Sequence, residues 1–131
     1  MASQTDLAPL QGAWRIVALE ADGWRSPAAG GDVQVVSIEG NEWVSASPRG
    51  ITRIRFALDP ARHRLDFLIT LGVVTPGIYC LDGDKLLVCT NHRALRRALG
   101  RRVDADEVTA PPSFAAPCGS CFRLWELERV D

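Results

Sequence analysis

The sequence lacks an excess of either charge. It carries 15 basic and 16 acidic residues, which gives a formal net charge of -1. Nucleic acids and anionic membranes attract proteins mainly through accumulated positive charge. The charge balance therefore predicts that neither nucleic acid nor a membrane surface is a partner.

The sequence also lacks a targeting segment and a long apolar run. Its first residues, MASQTDLAPLQGAW, contain neither the basic cluster nor the apolar stretch of a signal peptide. No apolar run approaches the roughly 20 residues that a membrane-spanning helix needs. We therefore predict a cytoplasmic location, where the 4 cysteines are expected as thiols or metal ligands rather than as a disulfide framework.

The motifs of common enzyme classes are absent as well. The sequence has no glycine-rich phosphate loop, no nucleophile elbow and no HExxH zinc motif. Glu20, Glu42 and Asp66 fall within predicted strands, but no spacing pairs them for acid–base catalysis. The sequence therefore leaves enzymatic activity open.

Short alternating segments make up most of what is present. The chain has 131 residues, 47% of them hydrophobic, which fits a single domain over residues 1–131. Alternating or β-branched runs separated by turn residues predict eight strands, at 12–22, 33–39, 42–47, 51–58, 64–70, 77–81, 84–89 and 122–129. Leu95 and Leu99 have helical spacing, which predicts one short helix in the loop before the last strand.

The connections between these strands predict their arrangement. An Asp82-Gly83 turn is the clearest hairpin signal, and it places Cys80 opposite Lys85. Successive hairpins favour an antiparallel meander, and closing the meander into a barrel removes its exposed edges. The pattern alone does not separate a barrel from a sandwich.

Three segments resemble a lipocalin-like domain family of planctomycetes and related bacteria. They are the opening LQGAWRIVALEADG, the hairpin GIYCLDGDKLLVC at residues 77–89, and the apolar last strand at residues 124–129. The resemblance implies an eight-stranded antiparallel up-and-down barrel, either filled by side chains or enclosing one small ligand. It also implies a cation–π contact between Trp14 and Arg129 at the closed end. The family has no agreed reaction, so the resemblance implies no particular activity.

The cysteines predict a site at one rim of this barrel. Cys89 ends the seventh predicted strand and Cys121 begins the eighth, so a meander brings them to the same rim. His92 follows Cys89 by three residues, and Cys118 precedes Cys121 by three, which is the ligand spacing of tetrahedral zinc sites. We therefore predict zinc bound by Cys89, His92, Cys118 and Cys121. A redox or disulfide pair formed by the CxxC, or simple packing, are the alternatives.

The predicted barrel also offers a second kind of site, a cavity for a small molecule. In this topology the cysteine rim is the open end, with the predicted helix over it as a lid. We predict that the cavity binds a small apolar or amphipathic molecule. Its candidate ligand-binding residues are Trp24, Trp43, Phe56, Phe67, Tyr79 and Leu95. The alternatives are a filled barrel without a ligand, or an enzyme of a biosynthetic pathway, either a cyclase or isomerase using the cavity or a metal-assisted enzyme.

Overall fold

Ten strands form one antiparallel sheet in the computed structural model, which describes residues 4–27, 35–47, 50–68, 74–92 and 109–130. The strands are β1 (Gly12–Ala21), β2 (Trp24–Pro27), β3 (Val35–Glu39), β4 (Glu42–Ser47), β5 (Gly50–Asp59), β6 (Arg64–Leu68), β7 (Val74–Thr75), β8 (Gly77–Asp82), β9 (Lys85–Asn91) and β10 (Phe122–Arg129). Helix α1 (Gln4–Leu7) and a 3-10 turn (Ala8–Leu10) precede β1. Among the described residues, no helix is long and apolar enough to cross a membrane.

The sheet closes into the predicted eight-stranded up-and-down barrel. Its ring runs β1, β3, β4, β5, β6, β8, β9 and β10, and β10 then pairs with β1. The two remaining strands are short. Strand β2 pairs with the second half of β1, whereas β3 pairs with the first half. Strand β7 pairs with β6 and is separated from β8 by Pro76, which has no N–H to donate to the ladder.

The hairpin between β8 and β9 differs from the sequence prediction by one residue. Asp82 pairs with Lys85, and Cys80 pairs with Leu87 rather than with Lys85. The two central residues of the turn are therefore Gly83 and Asp84, not Asp82 and Gly83. Gly83 has a φ of +58°, and two-residue hairpin turns of types I′ and II′ both require a positive φ at the first central position, which glycine adopts without strain.

Large apolar side chains fill the closed half of the barrel. Trp14 is fully buried, and its indole N–H donates to the Leu10 carbonyl at 2.8 Å. The main cluster also contains Ile16, Val36, Ile38, Phe56, Leu58, Leu65, Leu86, Val88 and Leu127. The turns at Gly40, at residues 60–63 and at Gly83 lie at this end, together with α1. The cysteine-bearing segment lies at the opposite, open end.

The connection before the last strand packs on the outside of the barrel where the structure describes it. Within residues 109–121, the Ala115 carbonyl accepts the Cys89 thiol at 3.6 Å, and the Thr109 carbonyl accepts the Asn91 amide at 2.7 Å. Cys89, Ala116 and Leu124 form a second, smaller apolar cluster. A single turn, closed by the Ser120 N–H donating to the Pro117 carbonyl, precedes β10. The predicted lid helix, with Leu95 and Leu99, lies outside the described residues.

Candidate functional site

The lining of the barrel interior changes between its two ends. Residues directly paired across antiparallel strands point to the same face of the sheet, so the register assigns each side chain to a face. Ser45 pairs with the core residue Val36, and Thr75 pairs with Phe67. By the same criterion the interior positions nearest the open end are Ala21, Ser45, Thr52, Thr75, Thr90 and Arg123. Apart from Trp24, which pairs with Ala21 and is largely exposed, the positions of the open half are small or polar, in contrast to the filled closed half.

Three aromatic rings form the boundary between the two halves. The ring centroids of Trp43 and Phe67 lie 5.2 Å apart with the planes at 89°. Trp125 lies 6.3 Å from Trp43 and 6.4 Å from Phe67. These are the separations and angles that aromatic pairs favour. We call Trp43, Phe67 and Trp125 the aromatic floor.

His92 lies beside this floor, directly after the end of β9. Its ring centroid is 5.9 Å from that of Trp125, and its Nε2 is 2.8 Å from the Thr90 hydroxyl oxygen. Burial, with a smaller contribution from the positive charge of Arg123, lowers the pKa of His92 to about 4. The imidazole is therefore neutral at pH 7, with one nitrogen that donates a hydrogen bond and one that accepts.

Thr75 places an unusual hydroxyl in the interior. Its side chain is 0% exposed, and its Oγ1 has no hydrogen-bond partner among the described residues. A buried hydroxyl without a partner costs about 1–3 kcal/mol. A polar atom placed beside the Thr75 hydroxyl would therefore remove this cost.

The predicted ligand-binding residues divide into three groups. Trp43 and Phe67 belong to the aromatic floor. Phe56 and Tyr79 lie in the filled core below it. Burial raises the pKa of the Tyr79 hydroxyl, and the charges of Asp6 and Asp59 at the closed end add to this. The Tyr79 hydroxyl is thus not a group of the open end.

Of the two remaining predicted ligand residues, the structure describes Trp24, which lies away from the floor. Trp24 follows the turn after β1, pairs with Ala21 at the open end, and is 74% exposed. Leu95 is outside the described residues. The aromatic residue that the sequence prediction left out is Trp125, which contacts the core cluster while remaining partly exposed.

The four predicted zinc ligands lie in two separate places. Cys89 pairs with Leu124 on the outer face, and burial raises the pKa of its thiol to about 11. Leu124 is three positions after Cys121, which at about 3.3 Å per residue corresponds to about 10 Å along the chain. His92, Cys118 and Cys121 instead line a depression of about 460 Å³ at the open end.

The described residues contain no preformed metal site. No three cysteine, histidine, aspartate or glutamate side chains in the part of the chain that the structure describes are grouped to hold an ion. The geometry thus brings three of the four predicted ligands to one depression and leaves Cys89 outside it. Zinc stays a prediction from the sequence.

The acidic residues singled out in the sequence have structural partners. Glu20 accepts the Ala116 N–H, and Glu42 accepts from Arg53. Asp66 accepts from the Arg64 guanidinium and from a backbone N–H in β8. None of the three faces another of them as an acid–base pair in these contacts.

No family model, curated protein or solved structure matches this chain. The lipocalin-like resemblance therefore stays a prediction from the residues that carry it. The fold and the lining of the open half are the basis for the function proposed below.

Proposed function

We propose that the protein binds a small amphipathic molecule in the open half of its barrel. The observation that carries this proposal is the change in lining, from packed large side chains below the aromatic floor to small and polar side chains above it. A barrel of eight strands encloses enough space for one small ligand when side chains do not fill it. Among the described residues, the large side chains that fill the barrel lie in its closed half, so we assign the ligand to the open half.

The aromatic floor supports an apolar part of the ligand. Ligand pockets are lined mainly by apolar and aromatic side chains, with a few polar groups that fix orientation. Trp125 is only partly buried, so its ring offers apolar surface to a molecule resting on the floor. Such contact stabilises binding by about 25 cal/mol for each Å² of apolar surface removed from water.

Polar groups around the floor support a polar part of the same ligand. The Thr75 hydroxyl has no hydrogen-bond partner among the described residues, so a ligand atom beside it removes an existing cost. The neutral His92 ring can donate or accept according to its tautomer. Together these groups favour a molecule with a hydroxyl, carbonyl or similar group over a purely apolar one.

Titration with a fluorescent apolar probe tests this proposal. Phenylnaphthylamine gains fluorescence in an apolar site, and unlabelled amphipathic molecules that bind there displace it. Ser45→Phe adds a ring inside the open half. Ser37→Phe is the matched control, because Ser37 pairs with Val44 and lies on the outer face of the neighbouring strand β3.

The proposal predicts different probe affinities for the two variants. Ser45→Phe should weaken probe binding at least tenfold, since the added ring occupies the space above the floor. Ser37→Phe should bind the probe as the unmodified protein does. Equal probe affinity in all three proteins, with circular dichroism showing that all are folded, would contradict the proposal.

A further inference from the structure

The segment PCGSC at the open end carries two thiols on one turn. Cys118 is exposed and Cys121 is partly exposed, and both line the depression next to His92. The chain reverses between them, because the Ser120 N–H donates to the Pro117 carbonyl at 3.1 Å and Gly119 has a φ of +78°. The two thiols are therefore accessible and belong to the same tight loop.

This loop is held from both sides by hydrogen bonds. The Gly23 N–H donates to the Ala116 carbonyl at 2.6 Å, and Asp22 Oδ1 accepts the Gly119 N–H at 2.6 Å. On the other side, the His92 N–H donates to the Cys121 carbonyl at 2.9 Å. The loop thus has a defined shape between the turn after β1 and the end of β9.

Cys121 has an unusual backbone conformation within this loop. Its φ of +63° lies in the left-handed region, which residues other than glycine adopt rarely and at a cost. Strain of this kind persists where the surrounding contacts hold it, and it is concentrated at functional sites. A disulfide bond at the Cys121 sulfur therefore acts on a backbone segment whose conformation is already restricted. The carbonyl of the same residue accepts the hydrogen bond from the His92 N–H.

The other two cysteines lack these properties. Cys89 is fully buried and its thiol donates to the Ala115 carbonyl, so it is out of reach of a reagent. Cys80 is exposed, but it lies in β8 opposite Leu87. Neither has a second cysteine at CxxC spacing.

We propose that Cys118 and Cys121 form a reversible dithiol–disulfide pair whose oxidation is transmitted to His92 at the open end. The oxidant is a low-molecular-weight disulfide such as oxidised glutathione. The proposal is independent of ligand binding.

The exchange proceeds in two balanced steps. The exposed Cys118 sulfur attacks one sulfur of glutathione disulfide, which forms a mixed disulfide and releases one glutathione. The Cys121 sulfur then attacks the Cys118 sulfur and releases the second glutathione. The two protein sulfurs are oxidised by two electrons in total, and each released glutathione sulfur takes up a proton in place of one lost by a protein thiol.

Equilibration of the native protein in glutathione buffers of graded ratio tests the pair. After acid quenching and alkylation, mass spectrometry of the peptide containing residues 118–121 should show loss of two hydrogens as the buffer becomes oxidising, and recovery when reductant is added. Cys121→Ser should instead accumulate one glutathione on Cys118. Cys80→Ser is the control and should leave the titration unchanged.

The effect of oxidation on His92 is measured separately by nuclear magnetic resonance. The backbone amide resonance of His92 should shift on oxidation of the unmodified protein and stay in place when Cys118→Ser is treated in the same way. The pair is overturned if residues 118 and 121 remain fully alkylated in oxidising buffer while Cys80 takes up glutathione. It is also overturned if the purified reduced protein holds one zinc ion that protects both thiols from alkylation. An unshifted His92 amide in the oxidised protein contradicts the transmission.

Discussion

The guanidinium carbon of Arg129 lies 4.3 Å from the centre of the Trp14 ring. The same guanidinium donates to the Gln11 carbonyl at 2.9 Å and to the Pro9 carbonyl at 2.7 Å. Arg129 is thus the point where the last strand, the first strand and the N-terminal segment meet. This contact confirms the pair that the family resemblance implied.

Arg129→Ala should lower the free energy of unfolding by about 2–3 kcal/mol, because it removes a cation–π contact and two charge-assisted hydrogen bonds. Arg15→Ala is the matched control. Arg15 pairs with Glu128 at 3.3 Å on the exposed surface, where an ion pair contributes less than about 1 kcal/mol. Urea denaturation of both variants measures the difference. Equal losses in the two variants would show that the closed-end contact has no special role.

His92 should make stability depend on pH in a defined window. The pKa of His92 is lowered from 6.5 to about 4 in the folded protein, so between these values the unfolded chain binds the extra proton. The free energy of unfolding is therefore independent of His92 above that window and falls as the pH drops through it, by up to about 3 kcal/mol.

Urea midpoints measured across this window check the prediction. His92→Gln keeps a polar side chain of similar reach but does not titrate, and it should remove most of the slope. A variant that retains the full slope would mean that groups other than His92 produce it.

Gly77 should be intolerant of any side chain. A Cβ at this position would lie 2.5 Å from the Leu65 carbonyl oxygen and 2.9 Å from Thr90 Cγ2. Gly77→Ala should therefore cost about 3 kcal/mol or more, because the backbone of β6 or β9 must move. Gly83→Asn, at a turn position with no atom within 4 Å, should cost less than about 1 kcal/mol, since asparagine tolerates a positive φ. Thermal unfolding of both variants measures this, and a stable Gly77→Ala would contradict the close approach.

Cys89 should be protected from alkylation until the protein unfolds. Burial raises its pKa to about 11, so it has almost no thiolate at neutral pH. Iodoacetamide labelling followed by mass spectrometry should modify Cys80 and Cys118 in the native protein and Cys89 only in urea. Labelling of Cys89 at the rate of Cys80 would show that residues 109–121 do not cover it.

The fold could be predicted further than the site, and β9 and β10 show why. Alternation and turn residues located the eight ring strands, and the resemblance implied the contact between Trp14 and Arg129. Leu124, an apolar residue of the last predicted strand, lies on the outer face with Cys89. The outer face of these strands is covered by residues 109–121, so both faces carry apolar residues and alternation no longer distinguishes them.

The packing of residues 109–121 on the outer face also explains why the sequence prediction missed Trp125 and misplaced Cys89. Because Leu124 is outside, its neighbour Trp125 faces the interior and completes the aromatic floor. The zinc prediction assumed that the ends of β9 and β10 bring Cys89 and Cys121 together. The register instead sets Cys89 beside Leu124, and its thiol is directed to the Ala115 carbonyl. Such a contact depends on the path of a loop, which spacing in the sequence does not reveal.

The position of a bound apolar probe tests the central claim most directly. In the presence of phenylnaphthylamine, isotope-filtered nuclear Overhauser spectra of the labelled protein report which side chains lie against the probe. Binding above the aromatic floor predicts contacts to Phe67, Thr75 and Trp125. Contacts to Val17 and Leu87, which line a groove of about 450 Å³ on the outer face, would contradict a ligand site inside the barrel.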